Sequence, residues 1–354
     1  MKLAVIGAGI AGRLLTWRLA KRGHQVTLYD KQQKGEESAC SFAAAGILSP
    51  LAELEMAELD IFELGNHSMK LYPQWLKQLT TPVFYRQTGS LVTAHGSDRV
   101  ELDHFYRVIQ RKLGAEKASQ TLVKKIAVAE KEEDLSHLGD GLYLPTEGQI
   151  DPVGLMHSVM NELEHSDCVT IHYGKRISTL SNGQIEAEGT TEAFDWVFDC
   201  RGLGAKNDLP LRAVRGELLW LQAPDVSIKH LTRLIHPRYR IYVVPRPNNL
   251  YLIGATEIES EDYSPVSVRS SLELLSAAYS VHRGFGEARI INSVVNCRPA
   301  LPNNLPWVKT QSGITKINGL YRHGILLAPA VVEQAIKEFE QEVNQEIGNV
   351  QYAN

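Results

Sequence analysis

Cysteine is scarce in this sequence. Only four occur among 354 residues, Cys40, Cys168, Cys200 and Cys297, and no two of them form a CxxC pair. Such wide spacing argues against a disulfide scaffold and against a structural zinc site, and it is typical of free thiols in a reducing compartment. We therefore expect a cytoplasmic protein that binds no structural metal.

An excess of positive charge and long apolar runs are also missing. Lys and Arg total 37 against 41 Asp and Glu, so no basic surplus is available to neutralise a nucleic-acid backbone. No stretch approaches the roughly 20 apolar residues that a membrane-spanning helix needs. Hydrophobic residues make up 44% and charged residues 22%, which excludes a disordered chain, and the length predicts two domains.

The first thirty residues follow the order strand, glycine-rich turn, helix, strand. Residues 3–6 are continuously apolar, as in a strand buried within a parallel sheet. Residues 13–22 have helical spacing, and residues 25–29 form a second strand-like run. This order predicts a Rossmann-like α/β unit.

The turn between the first strand and the helix reads Gly7-Ala8-Gly9-Ile10-Ala11-Gly12. Gly7 permits the tight turn, Gly9 lets the backbone approach a pyrophosphate, and Gly12 lets helix and strand pack closely. Asp30 can accept hydrogen bonds from the ribose hydroxyls of an adenosine. The pattern predicts a dinucleotide at the helix N-terminus. NAD and FAD share it, so the motif leaves both cofactors open.

Two further segments indicate a cofactor site. Residues 40–50 pack small residues and a glycine, Gly46, into a segment that ends at Pro50, and small side chains let a backbone lie flat against a ring system. Residues 195–199 read as a buried strand that enters a Cys200-Arg201-Gly202 turn. Each segment also has an alternative interpretation that involves no cofactor. The first could be the start of a helix that packs on the sheet through small residues, and the second could be an ordinary transition from a strand to a loop.

The remaining pattern predicts helices separated by longer strands. The main expectations are a helix over residues 53–71, a short helix opened by Pro73, a hairpin over residues 240–256, a strand over residues 289–297 ended by Arg298-Pro299, and a final helix over residues 330–347.

Seven segments are distinctive in order and spacing: GAGIAG with Asp30, SFAAAGILSP, DCRGLGA, VRGELLWL, IYVVPRPNNLYLIGATE, NCRPALPNNLPWV and GLYRHGILLAP. With them the chain resembles, nearly end to end, the D-amino-acid-oxidase superfamily of flavoproteins, and within it the glycine oxidases of thiamin biosynthesis. The resemblance implies an α/β fold. A Rossmann-like FAD-binding domain (residues 1–79, 142–210 and 295–354) interleaves with a smaller α+β substrate domain on a mostly antiparallel sheet (residues 80–141 and 211–294).

The resemblance also implies noncovalent FAD. Related sarcosine oxidases attach flavin to a cysteine in the region of Cys297, but here that cysteine is offset by a residue, so we expect no covalent link. The expected cofactor residues are Gly7, Gly9, Ile10, Ala11, Gly12, Asp30, Lys31, Ser41, Ala44, Ala45, Gly46, Cys200, Gly202, His323, Gly324, Ile325 and Leu326.

Three residues match the positions that surround the substrate carboxylate in glycine oxidases: Tyr242, Arg298 and Arg322. A guanidinium binds a carboxylate with two parallel hydrogen bonds, and a phenol adds one donor. Taken singly, Tyr242 could be a packed strand aromatic and Arg298 a surface ion pair.

The chain also departs from the family pattern. Asn303 and His323 replace an Asp and a flavin-facing Asn. Glu257 stands where a known glycine oxidase carries an apolar side chain in its substrate pocket, and a carboxylate there could favour a second amine or a polar substrate. We count Glu257 with the candidate catalytic residues.

The function that the resemblance implies is FAD-dependent oxidative deamination of glycine or a related small amino acid. The products would be an α-keto acid, ammonia and hydrogen peroxide, with dioxygen as acceptor, and the reaction would serve thiamin thiazole synthesis. The alternatives are oxidation of a D-amino acid, sarcosine or another polar amine, and a non-catalytic FAD-binding partner protein. An NAD-dependent dehydrogenase is the third alternative to this function. A homo-oligomer is compatible with the sequence.

Overall fold

The structure is a computed structural model that describes residues 1–114, 122–187, 189–236 and 240–352. Its strands are, in chain order, β1 (Lys2–Ile6), β2 (Gln25–Tyr29), β3 (Ile47–Leu48), β4 (Tyr85–Arg86), β5 (Ser90–Ala94), β6 (Lys124–Ala127), β7 (Asp140–Leu144), β8 (Gly148–Ile150), β9 (Val169–His172), β10 (Ile177–Ser181), β11 (Gln184–Ala187), β12 (Thr190–Ala193), β13 (Trp196–Asp199), β14 (Arg212–Gln222), β15 (Leu231–Ile235), β16 (Arg240–Arg246), β17 (Leu250–Gly254), β18 (Ile258–Glu259), β19 (Arg289–Ala300), β20 (Trp307–Gln311) and β21 (Ile314–Asn318). The α-helices are α1 (Ile10–Lys21), α2 (Pro50–Glu53), α3 (Leu59–Leu76), α4 (Arg99–Leu113), α5 (Pro152–Glu164), α6 (Val268–Val281) and α7 (Gly324–Tyr352).

One sheet has the strand order β20-β21-β13-β1-β2-β9. Its pairs are parallel except β20–β21. Because its strands come from distant parts of the chain, the sheet ties the N-terminal, middle and C-terminal segments together. Helices α1, α3, α5 and α7 bury their apolar faces against one another and the sheet. At the centre of this layer Phe339 of α7 packs edge-on against Trp196 and Phe198 of β13, with ring centroids 5.1 and 5.3 Å apart.

The larger sheet follows the path β18-β14-β17-β16-β15-β5-β7-β6, and β19 pairs with β14. It is antiparallel apart from the β5–β15 pair. Helix α6 packs on it through an apolar face that includes Leu274, Ala278 and Val281. The mixed architecture confirms the expected α/β fold with a mostly antiparallel second sheet. β19 spans the expected domain boundary at residue 295, and the domain division itself stays a prediction.

Pro73 does not open a helix of its own, so that expectation was wrong. It lies inside α3, which begins at Leu59, well after the expected start at residue 53. The apolar positions Met69, Tyr72 and Trp75 continue at helical spacing across the proline and are buried. Burying them stabilises the helix by more than the lost backbone hydrogen bond costs, and only one further residue follows Trp75 in α3.

The strand that carries Arg298 is also longer than expected. β19 continues through Arg298-Pro299 to Ala300, with Arg298 opposite Val214 and Pro299 opposite Ala213. β14 is its one partner strand in the described sheet, so the missing N–H of Pro299 is tolerated at a sheet edge. The final helix begins at Gly324, earlier than expected. The hairpins β10–β12 and β20–β21 and the strand β15 were not anticipated. None of the described helices combines the length and apolarity needed to cross a membrane.

Candidate active site

A cavity of about 1510 Å³ opens where β1, β2, β13 and β21 end. Ligands in open α/β sheets bind at this edge, outside the carboxyl ends of the parallel strands. Usual ligand pockets measure roughly 300–1,000 Å³, so this one has room for a dinucleotide together with a small substrate. All of the expected cofactor residues except Gly12 line it, and so do all four expected catalytic residues.

The glycine-rich turn has the close contacts that its sequence predicts. Gly7 has a φ of +100°, and a Cβ there would stand 2.6 Å from the carbonyl oxygen of Cys200. A Cβ on Gly12 would overlap the carbonyl oxygen of Gly7, so Gly12 serves the packing of α1 on the turn and lies outside the cavity lining. By contrast, a Cβ on Gly9 would meet nothing nearer than Ser41 Oγ at 3.8 Å. Open space therefore remains at the N-terminus of α1.

The carboxylate of Asp30 is held at the end of β2. Its Oδ2 accepts the N–H of Ala8 at 2.6 Å, and its Oδ1 accepts the N–H of Gln32 at 2.9 Å. The side chain lines the cavity although the residue is only 8% exposed. The glycine-rich turn and the acidic residue are thus fastened to each other.

Arg246 holds the segment of small residues in place. Its Nη2 donates to the carbonyl oxygens of Ala45 at 2.7 Å and Ile150 at 2.8 Å. Gly46 has a φ of +70°, and a Cβ there would overlap Ile150 O. Burial lowers the pKa of Arg246 to about 10. The sequence places Arg246 on the same strand face as Tyr242 but does not reveal this fastening role.

Arg298 and Tyr242 both line the cavity. Arg298 is half-buried, and its Nη1 donates to the carbonyl oxygen of Thr256 at 3.1 Å. Across the described residues, no carboxylate forms an ion pair with this guanidinium. Burial raises the pKa of Tyr242, against the opposing charge of Arg298, so the phenol stays protonated and can donate. The two side chains offer a cation and a neutral donor to a ligand.

Arg322, in contrast, is already paired. Its Nη2 lies 3.0 Å from Glu53 Oε2, and its Nη1 donates to Glu257 Oε2 at 3.1 Å. The second oxygen of Glu257 accepts a hydrogen bond from the hydroxyl of Tyr321. Glu53 also pairs with Arg233, from Oε1 to Nη2 at 2.7 Å. A chain of alternating charges therefore runs from Arg233 through Glu53 and Arg322 to Glu257.

Glu53 and Arg233 were missed from the sequence. Glu53 ends α2 and its side chain is 12% exposed, while Arg233 lies within the largely buried strand β15, whose sequence is LTRLI. Burial opposes the charge on Glu53, but Arg322 and Arg233 outweigh it and hold the pKa of this carboxyl well below its ordinary value. The one available signal was a charged residue inside a mostly apolar segment.

His323 follows Arg322 and is 4% exposed. Its Nδ1 lies 3.6 Å from Glu53 Oε2. Burial is the main influence and lowers the pKa of the imidazole to about 4, so the ring is neutral at pH 7 in spite of this carboxylate. A neutral ring there avoids adding a positive charge to a site that already contains several guanidinium groups.

The family model described as FAD dependent oxidoreductase (DAO) matches residues 2–335. The chain belongs to the DAO family. A Rhizobium etli protein that carries the name thiamine biosynthesis oxidoreductase ThiO is 36% identical to this chain over 347 residues, which is 98% of each chain. Glycine oxidase of Geobacillus kaustophilus is 27% identical over 344 residues, which covers 92% of this chain and 89% of that protein.

Solved structures show the same DAO fold. The crystal structure of the Geobacillus kaustophilus glycine oxidase matches with a TM-score of 0.82 and 25% identity, over 96% of this chain and 94% of that one. Iminodiacetate oxidase from Chelativorans sp. BNC1 matches with a TM-score of 0.82 and 23% identity, over 96% and 95% of the two chains.

FAD is accordingly the cofactor of this DAO-family chain, and the residues present fit it. Open backbone at Gly9 suits a pyrophosphate at the N-terminus of α1, and the fixed carboxylate of Asp30 suits a ribose. The segment around Gly46, fastened by Arg246, leaves a surface without large side chains for a ring system. An NAD-dependent dehydrogenase is thereby set aside.

Proposed function

We propose that this FAD-dependent oxidoreductase oxidises the carbon–nitrogen bond of a small amino acid, with glycine as the first candidate. The observation that carries the proposal is the guanidinium of Arg298, which lines the cavity without a carboxylate partner among the described residues. A cation left unpaired in a partly buried site is costly unless a ligand neutralises it. A substrate carboxylate is the matching group, and Tyr242 adds one further donor.

The chain's own residues bind and orient the substrate. Arg298 holds the carboxylate through parallel N–H bonds, and this fixes where the α-carbon stands. FAD, when bound, supplies the two-electron oxidation. Glycine, water and dioxygen would together give glyoxylate, ammonia and hydrogen peroxide. No side-chain base is required, because the substrate amine reacts in its neutral form.

The named relatives support the same assignment. One carries a thiamine biosynthesis name and another is a glycine oxidase, so we propose a role in thiamin biosynthesis with dioxygen as the acceptor. We retain the roles assigned above to Tyr242, Arg298 and the FAD-lining residues as parts of this proposal. The structure gives Arg322 two partners within the chain, so we assign substrate binding to Arg298 first.

The test uses the purified holoenzyme under anaerobic conditions. Glycine, sarcosine and D-alanine are mixed with it separately, and the visible flavin absorbance is followed. We expect rapid bleaching with at least one amine, and stoichiometric peroxide when air is admitted. Flavin that stays oxidised with every amine would instead favour a non-catalytic FAD-binding protein.

A further inference from the structure

The charges at the substrate end of the cavity are balanced in a specific way. Arg233, Glu53, Arg322 and Glu257 form a linked series of two positive and two negative groups, joined at 2.7, 3.0 and 3.1 Å. The series is neutral as a whole. Arg298 adds one further positive charge and forms no ion pair with a described carboxylate, so one negative charge on the ligand completes the balance.

Glu257 occupies the position that a second ligand carboxylate would need. Its Oε2 accepts a hydrogen bond from the Nη1 of Arg322, and its Oε1 accepts one from the hydroxyl of Tyr321. Those two groups are therefore already engaged by a side chain of the protein itself. About half of the Glu257 side chain, 48%, remains exposed, and it lines the cavity. A second carboxylate placed there would meet a like charge in place of a free arginine, which is strongly unfavourable.

The same contacts argue against recognition of a second amine. An ammonium group beside Glu257 would stand next to the guanidinium of Arg322, which is 3.1 Å from the carboxylate. Arg298 also acts on Glu257 through its charge. Burial opposes the charge on Glu257, but the Tyr321 hydrogen bond and Arg322 outweigh it and hold the pKa below its ordinary value. Glu257 is therefore a carboxylate at neutral pH, and its attraction for cations is already satisfied.

We propose that Glu257 is an internal carboxylate that occupies Arg322 and so restricts the site to ligands with a single carboxylate. This inference rests on the proposed function, because it takes the Arg298 end of the cavity as the substrate site. It makes Glu257 a specificity-determining residue. Removal of its charge should turn Arg322 into a second carboxylate-binding group.

The experiment compares ligands that differ only in the second carboxylate. Butyrate and succinate are titrated into the oxidised holoenzyme, and binding is measured from the change in the visible flavin spectrum. The parent should bind butyrate more tightly than succinate. In Glu257→Gln, which keeps the shape and removes the charge, the ratio of succinate to butyrate affinity should rise about tenfold or more. Glu257→Met provides a second variant in which no amide can replace the contact.

Glu259→Gln is the matched control, since Glu259 is a second carboxylate that lines the cavity but pairs with Arg212. It should leave the ratio unchanged. An unchanged ratio in both Glu257 variants, with butyrate binding retained, would overturn the proposal. An equal rise in Glu259→Gln would overturn it too, because the effect would then reflect the general field of the cavity.

The preference between a methyl group and a second carboxylate can also be tested with oxidisable amines. Iminodiacetate and N-ethylglycine differ by a carboxylate in place of a methyl group, and kcat/KM for each is measured from peroxide release. Glu257→Gln should favour iminodiacetate by a similar factor. Should no amine be oxidised by any variant while the succinate ratio still rises, the inference about Glu257 stands and the proposed oxidase function falls.

Discussion

The guanidinium of Arg298 lies directly against Gly216 of the neighbouring strand β14. A Cβ built on Gly216 would overlap Arg298 Nη2 and Cζ and would stand 2.9 Å from Nη1. Gly216 is paired with Asn296, two residues before Arg298 on β19. The absence of a side chain at position 216 thus gives the guanidinium its place at the cavity.

Gly216→Ala should consequently weaken ligand binding without removing any polar group. The added methyl must displace the guanidinium, so we expect butyrate affinity to fall about tenfold, from an overpacking cost of about 1–3 kcal/mol. The FAD content should stay at the parent level. Gly96→Ala is the control, because a Cβ on Gly96 meets nothing within 4 Å and Gly96 has no positive φ. Equal affinities in the parent and Gly216→Ala would show that the guanidinium is not needed there.

Arg298→Ala should have a larger effect than Gly216→Ala. A ligand carboxylate would lose a guanidinium that forms no ion pair with a carboxylate among the described residues, so the apparent substrate affinity should fall by about two decades or more. Turnover should fall as well, because the α-carbon is no longer held in position. Arg298→Lys should restore only part of both, since an ammonium cannot form the two parallel bonds. Parent-like steady-state kinetics in Arg298→Ala would make Arg298 structural and would direct attention to Arg322.

Asp30→Ala should weaken the binding of FAD and leave the fold intact. The loss of a charged acceptor costs roughly 1.5–3 kcal/mol, which is about one to two decades in affinity. The measurement is the quenching of FAD fluorescence on addition to apoprotein. Asp30→Asn keeps one acceptor oxygen and should lie between the parent and the alanine variant. If all three proteins bind FAD equally, the ribose contact belongs to another residue.

FAD should be released intact when the protein is denatured by heat. Burial raises the pKa of the Cys297 thiol, so little of the reactive thiolate is present at neutral pH. We expect a colourless precipitate and a yellow supernatant whose flavin is identified as FAD by chromatography. Yellow colour that stays with the precipitated protein would reveal a covalent bond.

His323 should make the protein less stable as the pH falls. Its pKa is lowered by burial from 6.5 to about 4 in the folded state. Between these values the unfolded chain binds a proton that the folded chain does not, so the free energy of unfolding decreases from pH 6.5 down to about 4. The total loss is on the order of 3 kcal/mol.

Urea unfolding at pH 7 and pH 5 measures this contribution. The difference between the two pH values should be smaller in His323→Asn than in the parent. His104→Asn, at an exposed position of α4, should behave like the parent. Identical pH dependence in the parent and His323→Asn would mean that the buried ring does not resist protonation.

Local patterns in the sequence were sufficient for much of the fold. The order β1–α1–β2 lies where apolar spacing and the glycine-rich turn predict it. The expectation of a helix start at Pro73 was wrong, because the burial of Tyr72 and Trp75 outweighs the local tendency of proline to interrupt a helix. That burial depends on tertiary structure.

The site likewise contains residues that local motifs identify and residues that only tertiary structure brings together. Asp30 and Arg298 stand in motifs, so they could be identified, although their roles stay predictions. The Glu53–Arg233 pair joins residues 180 positions apart. No short pattern encodes that contact, and only the assembled sheet brings the two side chains together.

The series of charges from Arg233 to Glu257 also affects how this protein could diverge from its relatives. Loss of Glu53 would leave the guanidinium of Arg233 without its carboxylate and would remove one of the two carboxylates that pair with Arg322, which is costly in a buried site. Glu257 stands at the exposed end, and its loss leaves Arg322 still joined to Glu53. If Glu257 sets the substrate range as proposed, that range can shift through a single substitution at the exposed end of the series, whereas a change at Glu53 would disturb both of its arginine partners.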